Sequence, residues 1–178
     1  MTRVRSASRT YIELNKQIST TGGAAGLCAL IEARGAAFNH VNFSTAFRKL
    51  LPARRAGVPK GAVEGALRVL EAAALRTMPE FEAQTVANTL HIMAKTRYRP
   101  ADPRLLPELD RKVEEVVRKY NAQELSNTLW AYATMGRGPG ERVMGMLEGR
   151  MGEVVREYNA QELSNTLWAY AKLGMWPG

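Results

Sequence analysis

The sequence predicts an all-α fold, an α-solenoid of stacked two-helix repeats of about 38 residues. Three observations carry that expectation. The stretch YNAQELSNTLWAYA stands at 120–133 and again, letter for letter, at 158–171. Its apolar residues fall at helical spacing, and a second amphipathic stretch precedes each copy, so each unit reads as a pair of helices. No strand-like alternation or hairpin signal interrupts the chain. Repeat periods of 20–50 residues belong to stacked-repeat architectures.

From the N-terminus, MTRVRSASR (1–9) is a basic tail with three Arg, two Ser and no acid. That composition suits an organelle transit peptide. A truncated transit peptide and a chain that starts in mid-protein both fit its shortness, and it has no apolar segment of the kind a secretory signal needs. Helical patterning starts by Tyr11 and defines a repeat domain over 10–178. TYIELNKQIS (10–19) and GAAGLCALIEARG (23–35) read as a helix pair, with Thr20–Gly23 as the turn between them. FNHVNFSTAFRKLL (38–51) is a distant copy of the repeated stretch, followed by a basic Gly/Pro loop at 54–61. FEAQTVANTLHIMAKT (81–96) is a closer one, keeping the opening aromatic, Ala83-Gln84, Asn88-Thr89-Leu90 and Ala94. Four copies therefore start at 38, 81, 120 and 158, the last incomplete.

Within the third copy Ala122, Leu125, Leu129 and Ala133 share one helical face. Asn121 is placed to cap that helix with Glu124 at the third position, and Asn159 with Glu162 repeats the arrangement. Gly136 and Gly174 read as left-handed C-caps, with Pro139 and Pro177 in the turns beyond. The preceding helix has Leu105, Leu109, Val113, Val116 and Val117 as its apolar face. Val143, Leu147, Met151, Val154 and Val155 match it one unit later. Two short helices cannot bury such stripes alone, so units are stable only when stacked. Identical neighbours call for identical wording. The chain ends where another second helix would begin, so it reads as a fragment with an apolar face open at its C-terminal end.

The formal net charge is +8, and all of it lies in residues 1–60, with ten Lys/Arg against two Asp/Glu. Residues 61–178 hold fifteen of each sign. A basic end steers an anionic partner such as RNA, or else is a solvated terminus. No apolar run approaches the ~18–20 residues of a membrane-spanning helix, so no membrane partner is expected. The single cysteine, Cys28, cannot form an internal disulfide, which favours a reducing compartment, and it is expected to pack on an apolar helix side. His40 and His91 do not make a metal cage, so no metal or cofactor is expected. Gly136–Gly140 is Gly-rich but follows a helix, and no Walker motif, zinc spacing or nucleophile elbow is found. The chain is not expected to be an enzyme or to take a small-molecule substrate. Asn42-Phe43-Ser44 matches a glycosylation sequon but falls in a helix, and is discounted.

Beside the apolar face runs a second stripe: Gln123, Asn127, Trp130 and Thr134. Gln161, Asn165, Trp168 and Lys172 match it in the fourth copy, and Gln84, Asn88, His91 and Lys95 in the second. Asn is a modest helix former, so its return in mid-helix calls for a reason. One role is hydrogen bonding between neighbouring units to hold their register. The other is lining a groove in which Gln and Asn amides meet base edges, as in proteins that read one base per helical repeat. Trp130 and Trp168 are placed to stack on bases or to pack between repeats. Lys95, Arg97, Arg99, Arg137 and Lys172 gather where these helices end. They are placed either to follow a phosphate backbone or to complement the helix dipole.

At NAQELSNTLWAYA followed by a Gly and Pro turn, the sequence resembles the octotricopeptide repeat family, in particular the repeat region of its chloroplast translation factor type, and more distantly helical-repeat proteins bearing a RAP domain. The resemblance covers 38–178 and is strongest over 100–178. Where that family carries Pro-Pro-Pro-Glu-Trp at the turn, this chain has Gly138-Pro139-Gly140-Glu141-Arg142. The resemblance implies helical-pair repeats that bind a specific single-stranded RNA in an organelle, chloroplast or else mitochondrion, acting in RNA processing, translation or transcript stability. Bases would meet Gln84, Asn88, Gln123, Asn127, Gln161 and Asn165. A protein-binding scaffold on the same solenoid is the alternative, favoured by the balanced charge of 61–178.

Overall fold

The computed structural model describes residues 2–53 and 57–175. Among the described residues it is all-helical, with nine α-helices and no strand. The chain divides into two compact units, Met1–Glu80 with Pro100–Leu105, and Phe81–Arg99 with Leu106–Gly178.

The first unit holds α1 (Thr2–Thr20), α2 (Gly23–Arg34), α3 (His40–Ala53) and α4 (Lys60–Thr77). Its backbone is helical from Thr2, ahead of the start near Tyr11 that the patterning predicts. Within it α1 packs on α3 and α2 on α4. Arg54, Arg55 and Ala56 of the expected loop lie outside the described residues, and Lys60 and Gly61 form the first turn of α4 instead. Two polar side chains tie α1 to α3. The Lys49 ammonium donates to the carbonyls of Ile18, Ser19 and Thr21 at 2.9, 2.8 and 2.8 Å, which satisfies acceptors that a helix end leaves open. The Asn42 amide donates to the Tyr11 carbonyl at 2.9 Å and is fully buried, so this sequon presents no acceptor to solvent. Cys28 is buried as expected. The buried Glu71 carboxylate accepts from the backbone amides of Ala101 and Asp102 at 2.8 and 2.9 Å.

The second unit is built on α5 (Ala83–Thr96), α6 (Leu105–Val116), α7 (Ala122–Met135), α8 (Glu141–Val154) and α9 (Ala160–Leu173). A single 3-10 turn precedes each of α3, α5, α7 and α9, at Gly35–Ala37, Met78–Glu80, Val117–Lys119 and Val155–Glu157. Phe38, Phe81, Tyr120 or Tyr158 follows that turn. Both capping boxes form: the Asn121 side chain accepts from the Glu124 amide at 2.9 Å while the Glu124 carboxylate accepts from the Asn121 amide at 3.0 Å. Asn159 and Glu162 show the same distances. Gly136 and Gly174 end α7 and α9 with φ of 69°, a left-handed conformation that costs glycine nothing.

α5 lies along α7, and α7 along α9. The α7–α9 pair is parallel and in register: the Ser126 hydroxyl donates to the Glu162 carbonyl at 3.1 Å, and Trp130 meets Trp168. Two struts missing from the sequence expectations hold each helix to the one before it. The Tyr132 phenol donates to Asp110 at 2.8 Å, and the Tyr170 phenol donates to Glu148 at 3.1 Å.

The duplicated segments differ in what covers them. Leu125 and Leu129 are fully buried, whereas their counterparts Leu163 and Leu167 are 48% and 51% exposed. The same substitution therefore has two outcomes in one sequence context. Leu125→Ala lowers stability by about 2–5 kcal/mol, the usual loss for a buried leucine. Leu163→Ala costs well under half of that. Urea unfolding of the two variants checks the contrast.

Candidate nucleic-acid interface

The second stripe of each repeated helix comes together because α5, α7 and α9 lie side by side. His91, Trp130 and Trp168 form a ladder of rings, with centroids 5.0 Å apart between His91 and Trp130 and 6.3 Å between Trp130 and Trp168. The rings are tilted by 34° and 32°, not coplanar. Trp130 and His91 are half-buried and Trp168 is exposed. The ladder thus packs the three helices together and also presents ring surface to solvent. Burial, with Lys95 nearby as a lesser cause, holds the His91 imidazole below its ordinary value, so the ring is neutral at neutral pH. Its Nδ1 is buried without a hydrogen-bond partner.

The amides flank this ladder. Gln84, Gln123 and Gln161 are exposed, and Asn88, Asn127 and Asn165 are half-buried beside them. The register-holding role for asparagine is not what the helices show. Among the described residues the only side-chain bond in this set runs within α9, from the Gln161 amide to the Asn165 oxygen at 2.9 Å. Register is held by Ser126 on the apolar side of α7. Among the described residues no side-chain hydrogen bond engages Asn88 or Asn127.

The cations divide. Lys95, Arg97, Arg99 and Lys172 are exposed at the C-terminal ends of α5 and α9. Arg137 has a protein partner that the sequence did not indicate. Its guanidinium pairs with Asp110 and lies 5.9 Å from the Tyr132 ring centre, so its charge is already matched by a buried-side carboxylate. Between Lys95 and Lys172 the equivalent place on α7 is Thr134, half-buried with its hydroxyl unpartnered. The cationic row is therefore interrupted at the middle repeat. Among the described residues no group of His, Cys, Asp or Glu is arranged to hold a metal ion.

Arg97 stands out in backbone conformation. It caps α5 with φ of 52°, the left-handed place that Gly136 and Gly174 fill in later copies. A side chain there is strained, and such strain collects at functional positions. A comparison with protein-family models finds no match, and neither does one with curated proteins.

Arg97→Gly relieves that strain and raises stability by about 1 kcal/mol, read as an increased urea midpoint. The depressed His91 value has a pH consequence with a definite sign. The unfolded chain takes up the proton first, so this contribution to stability is complete above pH 6.5 and is lost as pH falls below it. His91→Phe keeps a ring in the ladder and removes the effect. Between pH 7.5 and pH 5.5 its melting temperature falls less than that of the wild-type chain.

Proposed function

We propose that the chain is an α-solenoid of helical-pair repeats that binds single-stranded RNA along the α5–α7–α9 face, as the resemblance to octotricopeptide repeats implies. Support comes from one observation above the rest: an aromatic ladder whose His91 ring is neutral, flanked by amides of which, among the described residues, only Gln161 and Asn165 bond, and to each other. Bases stack on aromatic faces irrespective of sequence, and amides beside them supply the hydrogen bonds that discriminate between bases. Gln84, Gln123 and Gln161, with Asn88, Asn127 and Asn165, are the discriminating groups. Trp130 and Trp168 are the stacking groups. Lys95, Arg97, Arg99 and Lys172 contact phosphates, and Arg137 orders the turn through Asp110. The setting is organellar, chloroplast or mitochondrion, in RNA processing, translation or transcript stability. No catalytic step is assigned to the chain.

A protein-binding solenoid is the second possibility, and the balanced charge of 61–178 favours it. Salt dependence separates the two. With four phosphate contacts on a single strand, RNA affinity falls about 50-fold between 50 and 200 mM salt. Removing Lys95 or Lys172 lowers the slope by about 0.7 each. Filter binding against a random RNA pool reads both quantities. Absence of binding at 50 mM salt overturns the RNA function and leaves the protein scaffold.

A further inference from the structure

The stripe of each repeated helix occupies three places, set by the first buried residue of its apolar face: two before it, two after it and five after it. Counted from the buried Leu125 of α7, these hold Gln123, Asn127 and Trp130, and counted from the buried Val86 of α5 they hold Gln84, Asn88 and His91. The first unit has the same places. α3 follows the same kind of 3-10 turn and Phe38, and it buries Phe43 and Phe47 where α7 buries Leu125 and Leu129. α1 buries Leu14 and Ile18 at that same spacing. The two helices run parallel, since Asn42 bonds the Tyr11 carbonyl and Lys49 the Ile18 carbonyl, each 31 residues back.

The residues at these places are of another kind. The first place holds Ile12 and Val41, 68% and 45% exposed, and neither side chain has a donor or an acceptor. The second holds Lys16 and Thr45, and the third Ser19 and Arg48. Thr45 donates its hydroxyl to the Val41 carbonyl at 2.9 Å, within its own helix. None of the six carries an amide. Lys16 and Arg48 are exposed, and among the described residues neither side chain has a hydrogen bond or an ion pair. Glu13, beside Ile12 in sequence, accepts from the Gln17 amide at 3.3 Å. The α1–α3 face thus offers two unpaired cations and lacks the amides and rings of the later copies.

We infer that the α1–α3 face holds single-stranded RNA by its phosphates, irrespective of sequence, with Lys16 and Arg48 as the contacting residues. This rests on the RNA function proposed above and divides it: the amides of α5, α7 and α9 discriminate between bases, and the α1–α3 face anchors. Phosphates are the same on every nucleotide, so cations without amides give affinity without preference. The formal charge agrees, because the whole excess of +8 lies in residues 1–60.

The test uses the full chain with fluorescein-labelled oligouridine, oligoadenosine and oligocytidine. Lys16→Gln with Arg48→Gln lowers the salt slope by about 1.4 and weakens binding at 0.1 M salt by about 25-fold, the counterion release of two phosphate contacts on a single strand. The loss is the same for all three oligomers. Lys16→Arg with Arg48→Lys keeps the slope. Arg68→Gln removes an exposed cation of α4 in the same unit and leaves the slope unchanged. Melting temperatures at the wild-type value show that these exposed substitutions leave the fold intact. The anchor and the RNA function fail separately. No RNA binding at 50 mM salt overturns both. An unchanged slope in the double variant, a loss that differs among the oligomers, or an equal loss from Arg68→Gln overturns the anchor alone.

Discussion

Burial of the Leu125–Leu129 face of α7 against α9 is the constraint on which the second unit depends. Each of these helices is fourteen residues long and is not stable alone in water, so its persistence comes from tertiary burial. Helix α9 lies along α7, and the Ser126 hydroxyl bonded to the Glu162 carbonyl fixes how far one helix slides along the other. Because the pair is parallel and in register, residues on the shared edge of α7 and α9 line up with their counterparts, as Trp130 and Trp168 do. The ring ladder follows from that geometry, since a tryptophan at one position of a repeat must meet whatever stands there in the next.

The polar parts of the repeat fall into two kinds by what they do with their hydrogen bonds. Tyr132 with Asp110, Tyr170 with Glu148 and the two Asn–Glu capping boxes are closed systems, in which donors and acceptors satisfy one another. Buried polar groups are stabilising only in that condition. Along the ladder, among the described residues, Gln161 and Asn165 bond only each other, and Gln84, Asn88, Gln123 and Asn127 show no side-chain bond. The same distinction divides the cations. Arg137 belongs to the closed set through Asp110, and Lys95 and Lys172 to the open one.

Two adjoining stripes of one helix thus serve different ends. The apolar stripe joins repeats to each other, and the amide and ring stripe beside it faces solvent in a line. Duplication of a fourteen-residue stretch copies both at once.

Much of this was legible before any coordinates. The helical period, the Asn–Glu caps and the terminal glycines are local, and local rules predict them because a cap bonds to residues three positions away. Burial of Cys28, Leu109 and Val113 follows from one-sided patterning in the same way. Two features depended on distance in space: among the described residues no inter-helix hydrogen bond runs from Asn127, and Arg137 pairs with Asp110. Tyr132 and Asp110 are 22 residues apart, so no helical period links them. By itself the sequence determined which faces are apolar and that they recur. Only the tertiary structure decided which copy of a face is covered, because burial is a property of the neighbour and not of the residue, and Leu125 and Leu163 sit in identical words with opposite surroundings.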